Sequence, residues 1–326
     1  MSIQKIARLA GVSVATVSRV LNNSDSVKEK NREKVLQAIN ESNYQPNLLA
    51  RQLRTARSSM VLVMVSDISN PFCAEVVKGI EEQAEKNGYR ILLCNSGSDI
   101  ERSRSSLQLL AGKMVDGIIT MDAFSKLPEL TQLIGAMPWV QCAEYADAGE
   151  ISCVGISDAE ASQEMVRYLA GKGRQRIALI NHDLSYKYAQ LRLQGYQQAL
   201  GQLQLDWQAL SYASELSFSA GKQAMQALLA GKERPDAVFA VSDVLAAGAM
   251  SAIQEAGLNV PQDIAVAGFD GTDLAEMVSP PLTTLSQPSR DIGRQAFTLL
   301  LHKIDNPASA AQRVMMGWQL IQRASA

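Results

Sequence analysis

This 326-residue chain is poor in the residues that build catalytic and metal centres. It has two histidines, His182 and His302, far apart, and four cysteines, Cys73, Cys94, Cys142 and Cys153, none in C-x-x-C spacing. Buried free thiols fit that pattern better than metal ligands. No G-x-G-x-x-G follows the first apolar run, no G-x-x-x-x-G-K-[ST] occurs and there is no G-x-S-x-G elbow, so an enzyme is not expected. No apolar stretch reaches the roughly 18 residues of a membrane span, and Met1 leads straight into an amphipathic segment without the basic and apolar regions of a secretory signal. A cytoplasmic location is expected. Aromatic residues are scarce, at 5%, but hydrophobic residues reach 47%, enough for a small head and two core-bearing domains.

What is present begins at the N-terminus. Ile3, Ile6, Ala7 and Ala10 recur at i, i+3, i+4, i+7, Gly11 permits a turn, Ser13 can cap a second helix, and Val17, Val20 and Leu21 can bury its back. The opposite face holds Val14, Ala15, Thr16, Ser18, Arg19 and Asn22, all small or hydrogen-bonding, so the second helix can enter a major groove about 12 Å wide. This is helix-turn-helix spacing, although any small helical hairpin shares it. A Ser26-x-x-Glu29 capping box then opens a third helix whose Val35, Leu36, Ala38 and Ile39 can close a three-helix core.

Charge is segregated along the chain. Residues 1–60 hold ten Lys or Arg against four Asp or Glu, whereas the remaining residues hold 21 against 29. The net −2 therefore hides a basic head on an acidic body, and a basic head favours a polyanion such as double-stranded DNA.

From Met60 onward, apolar runs alternate with helical stretches, as in doubly wound parallel α/β folds. The pattern predicts strands at 60–65, 90–94, 117–121 and 139–142 for one sheet, with helices near 72–87, 103–113 and 125–135. A second set has strands at 177–180, 237–241, 264–268 and 282–286, with helices near 189–203, 220–230 and 244–256. Two such lobes place a cleft at the carboxyl ends of their strands.

Several motifs, in order, carry a family resemblance. Ala10 to Asn22, Tyr44-Gln45-Pro46-Asn47 and Leu49-Ala50-Arg51-Gln52-Leu53 resemble the headpiece and hinge of LacI/GalR-family bacterial repressors. Asn70-Pro71-Phe72, Arg192-Leu193-Gln194-Gly195-Tyr196, Ser242-Asp243, Gly268-Phe269-Asp270 and Pro281-Leu282-Thr283-Thr284 extend the likeness through the chain, which most resembles the family's cytidine-responsive branch. The resemblance implies a helix-turn-helix headpiece at 1–45, a hinge helix and linker at 46–58, and a two-lobed, periplasmic-binding-protein-like body at 59–326. The N-lobe would span about 59–156 and 287–308, and the C-lobe about 157–286 and 309–326.

It also implies roles. Ser13 and Tyr44 join the DNA-facing set, with Asn47, Ala50 and Arg51 along the minor groove and Leu53 wedged between base pairs. The segment from Asn47 to Arg54 is shorter than the roughly 12 to 15 residues an isolated helix needs, so it should fold only beside its twin in a homodimer on a near-palindromic operator. Arg192 and Asp270 would hold sugar hydroxyls, with a structural salt bridge as the alternative. Phe72 would stack on a ring, with an ordinary core position as the alternative, and Tyr186 and Tyr188 would line the site. Tyr186 stands where purine-binding members carry an arginine, which favours a nucleoside such as cytidine over a free purine; a ribose- or galactose-like sugar is the second reading. Val14 and Ala15 make no side-chain hydrogen bonds, which leaves Arg19 to read a guanine and makes direct readout weak. The resemblance accordingly implies a neighbour on adjacent DNA, the catabolite activator protein, and a nucleoid-associated protein needing no cofactor beyond its effector.

Overall fold

The computed structural model describes residues 2–21, 26–42, 57–97, 99–110, 114–122, 127–145, 149 and 151–326. The chain divides into two compact units, Met1–Ser58 and Ser59–Ala326.

In the first unit, α1 (Ile3–Ala10) ends at Gly11, whose φ of 64° lies in the left-handed region that glycine enters without a Cβ penalty. The turn leads to α2 (Val14–Leu21), and α3 (Glu29–Glu41) follows. Ile6, Ala7, Ala10, Val17, Val20, Val35 and Ala38 form the buried core, with Ile3, Leu21 and Ile39 packed at its edge. Two expectations are corrected. Leu36 is exposed at 48%, because one residue beyond Val35 the helix has already turned about 100° from the core. The helix expected to open with a Ser26–Glu29 box instead starts at Glu29, with Lys28 in the capping position and no side-chain cap bond from it.

Among the described residues, the second unit contains two six-stranded sheets. One is built from β1 (Met60–Val65), β2 (Arg90–Asn95), β3 (Gly117–Met121), β4 (Trp139–Cys142), β5 (Ser152–Ile156) and β11 (Arg313–Met316), in the order β11-β5-β4-β3-β1-β2 with every pair parallel. Its helices are α4 (Pro71–Lys86), α5 (Ile100–Leu110) and α6 (Leu127–Ile134). The other contains β6 (Ile177–Asn181), β7 (Ala209–Tyr212), β8 (Ala237–Ala240), β9 (Ala265–Asp270), β10 (Thr283–Ser286) and β12 (Gln319–Ile321), in the order β12-β10-β9-β8-β6-β7. Only β12 runs antiparallel to its neighbour there. Its helices are α7 (Asp158–Gly171), α8 (Lys187–Gln202), α9 (Phe218–Leu229), α10 (Asp243–Glu255) and the short α11 (Leu274–Met277). The strands of both sheets are largely buried, as expected of parallel sheets covered on both faces, apart from half-exposed edges such as β2 and β7.

After β10 the chain returns to the first lobe as α12 (Ser289–Asp305). It packs on α4 at a close crossing: a Cβ on Gly79 would stand 2.1 Å from the Arg290 carbonyl oxygen, and one on Gly293 would stand 2.1 Å from that of Val76. Reciprocal glycines therefore let two backbones meet where any side chain would separate them. The expected boundary at 309 is corrected. Arg313–Met316 is the edge strand of the first sheet, paired with Cys153–Ile156, and only the chain from about 319 onward joins the second. Cys73, Cys142 and Cys153 are buried free thiols, as expected; Cys94, also free, is half-exposed on edge strand β2. Among the described residues no helix is long and apolar enough to cross a membrane, and no group of His, Cys, Asp and Glu side chains is arranged to hold a metal ion.

Candidate functional site

On the head, Ser13 caps α2: its Oγ accepts from Thr16 N at 3.1 Å and lies 2.9 Å from the Thr16 hydroxyl. Val17 and Val20 turn into the core, while Val14, Ala15 and Arg19 are exposed, with Thr16 and Ser18 half-exposed beside them. One face of α2 is therefore small-residued and open to solvent, with Arg19 as its single cation. Asn22, Tyr44, Asn47, Ala50, Arg51 and Leu53, and with them the expected hinge helix, lie outside the described residues.

In the body, a cavity of about 530 Å³ opens between the lobes at the carboxyl ends of their strands. Phe72, Tyr186, Tyr188, Arg192 and Asp270 all line it. Phe72 comes from the first lobe, where Asn70 caps α4 by accepting from Phe72 N at 2.9 Å and so points the first turn of that helix at the opening. The other four come from the second lobe.

Arg192 is 5% exposed and lies on α8. Its Nε donates to Asp158 Oδ1 at 2.8 Å and its Nη1 to the Val241 carbonyl at 2.6 Å. The guanidinium also lies 3.5 Å from the centroid of the Phe269 ring and 4.8 Å from that of Tyr188. Asp270 is a more distant ion-pair partner, at 3.9 Å, which is too long for a hydrogen bond. The principal salt bridge of Arg192 is thus to Asp158, the first residue of α7, and two of its five N–H groups are engaged by these bonds.

Asp270 ends β9 with φ at 107°, a conformation that costs a non-glycine residue about 1–3 kcal/mol. Gln287 holds it there twice, its backbone N–H donating to the Asp270 carbonyl at 3.0 Å and its Nε2 to Oδ1 at 2.8 Å. Burial pushes the Asp270 carboxyl well above the usual carboxylate range; Arg192 opposes that shift and Asp243 and Asp158 reinforce it. Such a group can exchange between donating to and accepting from a ligand hydroxyl.

Two further lining residues are Glu144 of the first lobe and His182 of the second. Tyr186 is the capping residue of α8 but supplies no side-chain cap bond. Glu144, from the first lobe, supplies the cap instead: Oε1 accepts from Lys187 N at 2.5 Å and Oε2 from Tyr188 N at 3.2 Å. This carboxyl bridges the lobes, and burial raises its pKa to about 7 against the lowering effect of those two N–H bonds. His182 is buried, with Nδ1 2.6 Å from the Tyr188 hydroxyl and its ring centroid 4.6 Å from that of Tyr186. Asp158, Glu144 and His182 do not stand out in the sequence. Asp158 and Glu144 meet partners 34 and 43 residues away, and an isolated histidine in a loop has no periodicity to mark it. Ser242 caps α10 through Leu245 N, and Asp243 is bound by Thr272 and Thr284, so this pair is structural.

Residues 2–47 match the family described as bacterial regulatory proteins, lacI family, and residues 166–326 match the periplasmic binding protein-like domain. The ribose operon repressor of Escherichia coli (strain K12) is 35% identical over 328 residues, covering 100% of this chain and 99% of the relative. The HTH-type transcriptional repressor CytR of the same strain is 35% identical over 329 residues, covering 99% of this chain and 96% of the relative. The crystal structure of the lac repressor dimer bound to operator and the anti-inducer ONPF superposes with a TM-score of 0.89 at 29% identity, covering 100% of this chain and 98% of that one.

Proposed function

This chain belongs to the lacI family of bacterial regulatory proteins and is a DNA-binding transcriptional repressor with an effector-binding domain, not an enzyme; from that premise we propose that its effector is a nucleoside, cytidine foremost, held between the lobes of the body. The observation that carries the proposal is the pairing, in one cavity, of a polyol-binding set with two aromatic walls. Arg192 and Asp270 supply fork-like donors and a carboxyl for ribose hydroxyls. Phe72 lies on one wall and His182, Tyr186 and Tyr188 on the other, more flat surface than a lone sugar ring covers. The volume falls within the roughly 300–1,000 Å³ typical of small-molecule pockets. Glu144 and Asp270 in the same cavity, with Arg192 already paired, disfavour a phosphorylated ligand.

At the DNA end, the chain acts as a homodimer in which each protomer reads one half-site. Ser13, Val14, Ala15, Thr16, Ser18 and Arg19 of the headpiece (1–45) face the operator, joined by Asn22 and Tyr44 and, from the hinge at 46–58, by Asn47, Ala50, Arg51 and Leu53. Val14 and Ala15 offer only apolar contact, so specificity rests on Arg19, on phosphates and on a neighbour, the catabolite activator protein. Footprints with and without that protein decide the point: full occupancy by this chain alone at physiological salt removes the neighbour from the account. Effector binding favours a lobe arrangement that withdraws mutual support from the paired hinges and releases the operator.

A thermal-shift panel of cytidine, adenosine, ribose and galactose tests the effector. The nucleoside reading expects its largest stabilisation from cytidine. The second reading, a ribose- or galactose-like sugar, is supported by the 35% identity to a ribose operon repressor and expects one of the two sugars to stabilise and the nucleosides not to.

A further inference from the structure

His182 combines features that the nucleoside reading does not by itself require. It follows β6 at the cavity edge, is 6% exposed, and has the Nδ1 edge of its ring engaged by Tyr188. Nδ1 faces the Tyr188 hydroxyl at 2.6 Å. Burial lowers the pKa of the imidazole, so the neutral ring dominates at neutral pH.

The surrounding rings are ordered by these bonds. His182 and Tyr188 lie within 11° of coplanar with centroids 6.1 Å apart, the geometry of two flat rings joined edge to edge through a hydroxyl. Tyr186 leans over them, 4.6 Å from His182 and 5.5 Å from Tyr188. On the far side of the cluster, the Arg192 guanidinium over the Tyr188 ring ties the aromatic wall to the residue proposed to bind ribose. An imidazole held through Nδ1 in this way turns its ring, rather than that nitrogen, toward the cavity it lines.

We propose that His182 is a specificity-determining residue of the cavity: its hydrogen-bonded ring, locked edge to edge with Tyr188, is a stacking surface for a flat, uncharged heterocycle and makes no polar contact with it. The proposal rests on the nucleoside reading above. It adds that the base is recognised on the second lobe by stacking at a named residue.

Calorimetric titration of the full chain with cytidine and, separately, with ribose tests this, using wild type, His182→Ala and His182→Phe. Loss of the stacking surface in His182→Ala should weaken cytidine about ten- to a hundredfold, while ribose affinity stays within about twofold and serves as the folding control. His182→Phe should restore cytidine affinity to within about threefold to fivefold of wild type, because the ring face is regained without its nitrogens. If His182→Phe is as weak as His182→Ala, the imidazole acts through its polar atoms and the proposal is overturned. It is equally overturned if His182→Ala binds cytidine as wild type does, or if ribose and cytidine weaken in parallel. Wild type that binds ribose but neither cytidine nor adenosine overturns the nucleoside reading itself, and the stacking role with it.

Discussion

Taking the Glu144 carboxyl through its titration probes how the lobes are held together. In the closed body this group is 6% exposed and caps the first N–H groups of α8 from the opposite lobe. When the lobes part, it returns to water and an ordinary value near 4.5, against about 7 when closed. Asp158 adds to the upward shift and Arg192 opposes it, while Lys187 contributes its backbone N–H. Because the closed-state pKa is the raised one, closure takes up a proton: the stabilisation is fully present below pH 4.5 and is lost as pH rises through 7. For one such group, lowering the pH from 8 to 6 should favour closure by about tenfold, or roughly 1.4 kcal/mol. An effector that binds the closed arrangement inherits that factor. Calorimetric titration of cytidine at pH 8, 7 and 6 in matched salt, on wild type and Glu144→Gln, should show affinity rising on acidification by about tenfold more in wild type than in the variant. The comparison cancels the contributions of Asp270 and His182, which are common to both proteins. Identical pH profiles in the two proteins, or a wild-type affinity that falls on acidification relative to Glu144→Gln, would refute the reasoning.

Three other outcomes are expected. Asp270→Ala should abolish the effector's influence on DNA while leaving operator affinity intact, as read by gel shift with and without cytidine; an unchanged cytidine titration would remove Asp270 from the site. Gly293→Ala should lower the melting temperature of the body through a loss of about 1–3 kcal/mol, because its Cβ would meet the Val76 carbonyl at 2.1 Å; an unaltered melting curve would show that α4 and α12 separate freely. Ser13→Ala removes the cap on Thr16 N and should cost the headpiece about 1 kcal/mol, seen as faster amide exchange in α2 with no change in the body.

Features set by neighbouring residues were legible in the sequence. The apolar spacing of α1, the left-handed turn at Gly11 and the Ser13 cap are each decided within a few residues, and all are present. The strands at 60–65, 117–121 and 139–142 stood out because burial on both faces makes them continuous apolar runs. β11 escaped notice because it is a half-buried edge strand, Arg313-Val314-Met315-Met316, whose lobe is set by pairing with residues some 160 positions earlier. The return of α12 to the first lobe depends on Gly79 meeting the Arg290 backbone and Gly293 meeting that of Val76, approaches that only the fold brings about. The same holds for the cavity. Phe72, Arg192 and Asp270 were found through motifs, but the Asp158 partner of Arg192 and the Glu144 cap are products of tertiary approach. Leu36 was misplaced because on α3 it lies off the stripe that buries Val35 and Ala38, about 100° around the helix from Val35.

The central claim is that occupancy of the cavity between the lobes governs the grip of the head on DNA. Equilibrium binding of the full chain to a duplex bearing its operator, measured with and without saturating cytidine at fixed salt, tests it most directly. The account predicts tight binding without the nucleoside and a loss of about 5- to 150-fold with it. An operator affinity that cytidine leaves unchanged, in protein shown by calorimetry to have bound it, would contradict the claim.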